Sequence, residues 1–318
     1  MTNSTTLTSL LSALAIAGAI AAVHAQPATA QSATNLKCDG CVNSKDIQDE
    51  GVKAQDLEPG LITGTTVFVD AGSNATSNCN KLRSALSEIA NATAANPVLV
   101  RIERGNFNCG STPVALKKFV TIEGAGQSVS KIIGNTSGFG TGVVTGANDA
   151  TVRKLTLQHK GGGTGTAIVV NTLGSRMSMA DIDIKLESAT VNEGYGIVAG
   201  GGGLDLTNVS VRTSASNGQS QGILGVSAVK MNMRNVWVHN QSGAFGNPAA
   251  LELRDTSSVT AFGILFSSNF FGLLGRDDSV FELFGGTVIG GRGAAGTPSF
   301  SCVGVADADF TARSPDCS

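Results

Sequence analysis

The sequence contains few charged residues and, beyond its first 25 residues, no long apolar run. Charged residues make up 14% of the chain, against about 25% in a typical soluble domain, and the net charge is −2. This balance excludes a long acidic or basic tail and gives no electrostatic basis for binding nucleic acid. A bilayer span requires about 20 apolar residues. We therefore expect no nucleic-acid partner and no membrane span once an N-terminal signal has been removed.

The N-terminus has the pattern of an export signal, although it lacks Lys and Arg before its apolar run. The run from Leu10 to Val23 has the length of a signal peptide, and Val23-His24-Ala25 provides a small-x-small cleavage site. A second such triplet lies at 28–30. We predict a signal peptide over 1–25 and a mature chain that is secreted, periplasmic or at the cell surface.

Six cysteines in an exported chain predict disulfides. Many connectivities are open to six cysteines, and proximity along the sequence favours three bonds: Cys38–Cys41, Cys79–Cys109 and Cys302–Cys317. The short Cys38-x-x-Cys41 motif has no second cysteine pair with which to build a four-ligand zinc site. We therefore predict no metal site and no cofactor.

Residues 26–64 form a leader that differs from the rest of the chain. Val42, Val52 and Ile62 recur at ten-residue intervals. Such short units resemble the stalk-like repeats of bacterial surface proteins and phage fibres. The alternative is a leader that lies on the main domain.

Residues 65–110 have the pattern of an N-terminal cap. Two strand-like segments flank a helix pattern with i, i+3, i+4, i+7 spacing: 66–70, then Leu82, Ala85, Leu86 and Ile89, then 98–102. We predict Asn78 or Asn80 as the helix N-cap and a turn at 105–107. Such a unit would cover the open strand edge at the end of a solenoid.

The region 111–318 repeats with a period of 27 residues, stretching once to 28. The period appears in short alternating triplets, which are typical of half-buried strands: 155–157, 182–184, 209–211, 236–238 and 264–266. Two further strand sets accompany each triplet, and the set that follows a Gly-rich loop contains Ile168, Ile197, Ile223, Leu251 and Leu273. Stacked rungs of three short strands would share one apolar column. An α-solenoid is excluded because the apolar spacing is two and glycine is too frequent for helices.

A tight bend separates the first two strands of each rung. Its positions carry residues that suit left-handed backbone, with Lys and Asp as the less favourable members: Lys154, Asp181, Asn208, Asn235 and Gly263.

The chain from residue 66 to residue 305 resembles the pectin-lyase-like superfamily. The resemblance rests on the repeat and on the segments Thr66–Val69, 85–92, Val100–Ile102 with Gly105, and 120–126. It implies an all-β, right-handed parallel β-helix with three short strands per rung and an N-terminal strand–helix–strand cap. It also implies a polysaccharide or cell-surface glycan as partner.

The middle residue of each triplet should point outward, as should the residue two positions later. Five chemically distinctive side chains would then share one face: Asp183, Lys185, Arg212, Trp237 and His239. An aromatic ring beside cations and a carboxylate suits a sugar or a uronate, through stacking and charge-assisted hydrogen bonds.

The catalytic signatures of the superfamily are absent. A calcium-dependent lyase would need several carboxylates, and this face offers Asp183, with Asp181 at the bend. Asp277-Asp278 is an acid pair, but it lies in a turn. We predict a non-catalytic glycan-binding or surface structural protein. The alternative is a polysaccharide lyase or hydrolase acting on the same face, with calcium only in the lyase case.

A second outward column belongs to the third strand set and is apolar at four of its five positions: Val169, Val198, Leu224 and Leu274, with Glu252 as the fifth. An apolar stripe on an exported protein is usually covered. We hypothesise that it is a packing face, covered by the tail, by the leader or by another subunit, perhaps in a trimer.

Overall fold

The protein was studied as a computed structural model, which describes residues 65–161, 165–188, 191–215, 218–242, 247–309 and 311–317. The predictions for 1–64, including the signal peptide, the leader and the Cys38–Cys41 bond, lie outside these residues. Within the described ranges the chain forms one helix, α1 (Ala75–Glu88), and eighteen strands: β1 (Thr65–Val69), β2 (Val98–Ile102), β3 (Gly105–Gly110), β4 (Val114–Ala115), β5 (Val120–Glu123), β6 (Ser130–Gly134), β7 (Val144–Thr145), β8 (Ala150–Lys160), β9 (Thr166–Leu173), β10 (Arg176–Ser188), β11 (Glu193–Gly200), β12 (Gly203–Ala215), β13 (Gln219–Val226), β14 (Lys230–Ser242), β15 (Ala249–Leu253), β16 (Ser258–Arg276), β17 (Val280–Ala295) and β18 (Ser299–Ala306).

The strands stack in parallel, one rung above the next, which confirms the predicted right-handed parallel β-helix. The long strands β8, β10, β12, β14, β16, β17 and β18 pair in that order. The shorter strands β9, β11, β13 and β15 form a second ladder that also ends on β16. Leu155 aligns with Ile182, and Ile182 with Val209, so the period of 27 places equivalent side chains directly above one another.

The inner column is apolar and closed to solvent. The first residue of every triplet is at most 3% exposed: Leu155, Ile182, Val209, Val236 and Ile264. They belong to one continuous core that runs from β1 to β18. Burying such side chains provides the main free energy of folding, at about 25 cal/mol per Å² of apolar surface.

The predicted bend lies inside the long strands and is left-handed at every position. The φ angles of Asp181, Asn208 and Asn235 are 54°, 54° and 52°. Asn208 Nδ2 donates to Asp181 Oδ1 at 3.0 Å, and Asn235 Nδ2 donates to Asn208 Oδ1 at 3.1 Å. Asparagine has two roles at the bend: it tolerates left-handed backbone, and its side-chain amide forms hydrogen bonds between successive rungs.

The cap contains the predicted helix, with an earlier start. Asn74 is the N-cap, and its side chain accepts from the backbone N–H groups of Thr76 and Ser77. The prediction of Asn78 or Asn80 is wrong, because Asn78 lies inside the helix and its Nδ2 donates to the carbonyl of Asn106 at 3.0 Å. Within the described part of the chain, no helix is long and apolar enough to cross a membrane.

The strands of the cap continue the β-helix. β1 pairs with β2, and β2 pairs with β5, all in parallel. The predicted turn at 105–107 is wrong: these residues begin β3, which pairs with β6 and buries Phe107 completely. Two predicted disulfides are confirmed: Cys79–Cys109, which ties α1 to β3, and Cys302–Cys317, which ties β18 to the C-terminal tail.

The predicted alignment of the third strand set is wrong at its first rung. Ile197 pairs with Val170 instead of Ile168. Leu157 pairs with Ile184 on the next rung, and the number of residues from Leu157 to Val170 equals the number from Ile184 to Ile197. Val170 therefore pairs with Ile197. Val169 consequently lies in the main core and does not belong to the outward stripe.

The remaining stripe residues do point away from the main core, but they are not exposed. Val198 and Leu224 are fully buried in a separate cluster with Ile168 and Tyr195, and Leu274 is nearly buried. The stripe is therefore closed to solvent within a single chain. A trimer contact through it stays a prediction, and it requires these side chains to become accessible first.

Glycine is required where the third strands approach the core most closely. A Cβ on Gly222 would lie 2.1 Å from Val238 Cγ1 and 2.6 Å from the carbonyl oxygen of Ala250. A Cβ on Gly196, one rung before, would meet Val211 Cγ1 at 2.4 Å. The interior of the β-helix therefore has no room for a side chain at this position of either rung.

We predict that Gly222→Ala destabilises the protein by about 1–3 kcal/mol, because the added methyl group overpacks a closed core. Gly140→Ala is the matched control, since no atom lies within 4 Å of its added Cβ. Urea unfolding followed by circular dichroism measures both. Equal stability of the two variants would contradict the close packing described here.

His159 is a buried histidine in a neutral form. Its Nε2 lies 2.8 Å from the carbonyl oxygen of Thr136 and donates to it, while its Nδ1 is buried with no hydrogen-bond partner. Burial lowers the pKa of His159 below its usual 6.5, partly offset by the bond to Thr136. Protonation of Nδ1 would bury an unpaired charged N–H group.

We predict that stability falls as the pH decreases from about 8 to about 5.5, because the unfolded chain takes up the proton on His159 before the folded chain does. His159→Gln keeps a donor for Thr136 and removes the titration. Urea unfolding at the two pH values should show a smaller decline for this variant than for the native chain. An unchanged decline would show that another group is responsible.

Candidate functional site

The predicted outward side chains lie on one wall, which we call the central face: Asp183, Lys185, Arg212, Trp237 and His239. The register of β10, β12 and β14 aligns Asp183 with Ser210 and Ser210 with Trp237. It also aligns Lys185, Arg212 and His239 on successive rungs. The parallel stacking alone therefore brings five residues from three repeats together.

Asp183 is the buried centre of this face and is only 6% exposed. Lys185 Nζ lies 3.1 Å from its Oδ2, and Arg212 Nη2 lies 3.7 Å from its Oδ1. Oδ1 has no hydrogen-bond partner, so the contact with Arg212 is a charge interaction. The carboxylate lies beneath the two cations and holds them at the surface.

Trp237 is the exposed aromatic ring of the central face, with 39% of its surface accessible. The Arg212 guanidinium lies 5.3 Å from the centroid of the indole, within the range of a cation–π interaction. The His239 ring is 6.5 Å from the indole and tilted by 36°, and His239 Nδ1 lies 3.3 Å from Ser267 Oγ. A cation, an indole and an imidazole thus form a continuous row.

An open groove of about 210 Å³ adjoins this row. Lys185, Arg212 and His239 line one side, and Glu187 lies two residues beyond Lys185. Gln158 Nε2 donates to Glu187 Oε2 at 2.8 Å. Enclosed small-molecule sites are usually larger, about 300–1,000 Å³. The groove is therefore too small to enclose a whole ligand, but it could contact one part of an extended ligand.

The carboxylates of this face are Asp183 and Glu187, which lie four residues apart along β10, so their Cα atoms are about 13 Å apart in an extended strand. Hydrolysis of a glycoside needs two carboxylates about 5–9.5 Å apart. Asp181 lies at the bend and accepts from Asn208, and Asp278 accepts from Thr297 Oγ1 in the turn after β16. Asp277 Oδ2 accepts from a backbone N–H in the same corner. Over the described residues, no group of three or more His, Cys, Asp or Glu side chains could hold a metal ion.

A second polar cluster lies on the wall formed by the third strands, and we call it the Glu252 cluster: Tyr195, Gln221, Glu252, Arg254 and Arg276. Sequence reasoning treated Glu252 only as the polar exception in an apolar stripe. Arg254 and Arg276 directly follow the paired residues Leu253 and Gly275, so they are neighbours. Their separation of 22 residues equals that of Leu251 and Leu273, and this signal could have revealed the arginine pair.

Glu252 is fully buried and both of its oxygens are occupied. Arg254 Nε and Arg276 Nε each lie 2.7 Å from Oε1, and Gln221 Nε2 lies 2.8 Å from Oε2. Burial alone would lower the pKa of Arg254, but the hydrogen bond to Glu252 and its negative charge raise it overall. The Arg254 guanidinium therefore remains charged.

No protein-family model matches the chain, and no curated protein matches its sequence. Solved structures do match. A pectin methylesterase variant in complex with a hexasaccharide has a TM-score of 0.50 at 12% identity, over 73% of this chain and 86% of that one. Pectin methylesterases from Erwinia chrysanthemi and from carrot have TM-scores of 0.48 at 12% and 14% identity. These two matches cover 79% and 72% of this chain, and 91% and 79% of the respective enzymes.

The match with a TM-score of 0.50 shows a parallel β-helix fold. An identity of 12% shows the architecture alone and transfers no active site. The function of this β-helix therefore depends on its own side chains.

Proposed function

We propose that this protein is an exported, non-catalytic β-helix that binds an acidic polysaccharide through its central face. The observation that carries the proposal is the arrangement of charge beside the indole. Lys185 and Arg212 are accessible, whereas the carboxylate of Asp183 is nearly buried beneath them. A ligand that approaches Trp237 therefore meets positive charge first.

Uronate polymers match this arrangement. A sugar ring can stack on the accessible part of Trp237, and its carboxylate can accept charge-assisted hydrogen bonds from Arg212 or Lys185. A pectin methylesterase of the same fold has been solved in complex with a hexasaccharide. The β-helix architecture is thus compatible with an extended saccharide on its surface.

The charge pattern favours binding over turnover. A general acid or base must exchange a proton with the substrate. Asp183 faces Lys185 and Arg212 with its two oxygens, and it lies below them. It is therefore placed to position the cations and not to reach a glycosidic bond.

Export is proposed on two grounds. The N-terminal sequence has the pattern of a signal peptide. The Cys79–Cys109 and Cys302–Cys317 disulfides are typical of proteins that fold in an oxidising compartment.

We predict that the processed protein binds polygalacturonate and that Trp237→Ala weakens binding about three- to tenfold, through loss of ring stacking. Arg212→Gln should weaken it about tenfold or more, because a charge-assisted hydrogen bond is lost. Isothermal titration calorimetry at two salt concentrations measures both effects. Thermal unfolding verifies that each variant is folded.

Arg234→Gln is the matched control. The Arg234 guanidinium also lies over an exposed ring, 5.9 Å from the centroid of Phe262, but on the wall that precedes the bend. This variant should bind like the native chain. Equal losses in Arg212→Gln and Arg234→Gln would reduce the effect to general surface charge and contradict the proposal.

We predict the opposite effect for Glu187→Gln. Glu187 is an exposed anion that lines the same groove. Its removal should strengthen polygalacturonate binding about two- to fivefold at low salt and leave binding of a neutral polysaccharide unchanged. The same calorimetry tests the sign. Weaker binding by Glu187→Gln would place the ligand elsewhere.

The enzymatic alternative is tested on the same samples. Polygalacturonate and other uronate polymers are incubated with and without calcium, and reducing ends and unsaturated products are measured. Product formation that disappears in Arg212→Ala would establish a lyase or hydrolase and overturn the non-catalytic proposal. Binding without product supports it.

A further inference from the structure

We propose that His239 is a third contact for the ligand carboxylates at the central face and makes the affinity of this face depend on pH. This role rests on the proposed binding of an acidic polysaccharide, which His239 would then regulate. Arginine and lysine side chains stay charged at neutral and mildly acidic pH, whereas an imidazole gains its charge between about pH 8 and about pH 5.

His239 continues the row that Lys185 and Arg212 begin. The register places the three side chains on successive rungs, in β10, β12 and β14. Paired strands are about 4.8 Å apart, so the row is about 10 Å long. The imidazole lies 6.5 Å from the indole of Trp237, and the Arg212 guanidinium lies 5.3 Å from it. A uronate stacked on the indole would therefore have both side chains beside its carboxylate.

The two ring nitrogens of His239 have different surroundings. Nδ1 lies 3.3 Å from Ser267 Oγ. Nε2 has no hydrogen-bond partner among the described residues, and it is not one of their buried unpaired atoms. The ring itself lines the groove of the central face. Nε2 is therefore the nitrogen that is open to a ligand.

Both nitrogens have a partner when the ring is protonated and a carboxylate is bound. A hydroxyl accepts as well as donates, so Ser267 Oγ can accept from Nδ1–H. Nε2–H then donates to the ligand carboxylate. A charge-assisted hydrogen bond of this kind is about twice as strong as a neutral one. Protonation of His239 and binding of the carboxylate therefore favour each other.

No acidic side chain of the described chain competes for this proton. His239 forms no ion pair within the described ranges. Asp183 lies beneath Lys185 and Arg212, which precede His239 by two rungs and one rung. The residue aligned with His239 on the following rung is the neutral Ser267. A ligand carboxylate would thus be the first anion in direct contact with the imidazole.

The proton on His239 also changes the net charge that a polyanion meets. The outward side chains of β8, β10, β12 and β14 on this wall carry three cations and two acids, a net charge of +1 when His239 is neutral: Lys160, Lys185 and Arg212 against Asp183 and Glu187. Protonation of His239 raises this charge to +2. The attraction for an acidic polymer therefore increases as the pH falls.

The decisive experiment measures polygalacturonate binding to the full processed chain by isothermal titration calorimetry, at about pH 7.5 and about pH 5.5 and at one salt concentration. Carboxyl groups ionise near pH 4, so the ligand keeps its charge over this range. The native chain should bind about three- to tenfold more tightly at the lower pH. In His239→Gln the two affinities should be equal.

His159→Gln is the matched control, because His159 is buried in the core and lies away from the groove. This variant should keep the full gain in affinity at the lower pH. His239→Arg carries its charge at both pH values, so it should bind tightly at both, and it replaces His239→Gln if that variant does not fold. Thermal unfolding at each pH verifies that the variants are folded.

Proton uptake gives a second measurement that a residue with a merely structural role would not change. Calorimetry at about pH 6.5 in two buffers with different ionisation enthalpies counts the protons taken up on binding. The native chain should take up a fraction of a proton for each binding event. His239→Gln should take up none.

The possible failures are distinguishable. Equal affinity of the native chain at the two pH values, with binding still dependent on Arg212, would overturn the role of His239 and leave the proposed function standing. A gain that persists in folded His239→Gln would also overturn this role. Absence of polygalacturonate binding at both pH values would instead overturn the proposed function and the role of His239 together.

Discussion

The in-register parallel stacking of rungs is the constraint on which the rest of this structure depends. Each outward side chain has a neighbour directly above it and another directly below it, at the spacing of paired strands. Three consequences follow from that single geometry: the apolar column, the asparagine ladder at the bend and the charged rows on the walls. A substitution at one rung therefore acts mainly on the rungs next to it.

The same arrangement recurs on the walls of the β-helix: a nearly buried carboxylate lies beneath two or three accessible cations. Asp183 holds Lys185 and Arg212, and Glu252 holds Arg254 and Arg276. Glu123 does the same near the cap, where Arg101, Arg153 and Lys154 lie 3.3, 2.6 and 3.6 Å away. In each case the acid organises positive charge at the surface.

The sequence predicts what the constant period determines and fails where the period varies. The central face could be predicted because steps of 27 fix the register of Asp183, Arg212 and Trp237. Ile168 was aligned with Ile197 although its register partner is Tyr195, because Ile168 and Val170 are both apolar and alternate equally well. Further along, the step between third strands varies, so Arg276 was not linked to Glu252. The N-cap was also misplaced, since Asn78 bonds to Gly72 and Asn106, and these partners are visible only in the folded chain.

The three carboxylate-centred clusters differ in what surrounds their cations. At Glu123 three cations surround the acid. At Asp183 the cations adjoin an exposed indole, on which the proposed saccharide would stack. At Glu252 a buried amide oxygen lacks a donor, and the arginine forks lack an acceptor. A buried polar atom without a partner carries a free-energy cost, but His159 Nδ1 is such an atom as well, so an unpaired atom does not by itself mark a ligand site.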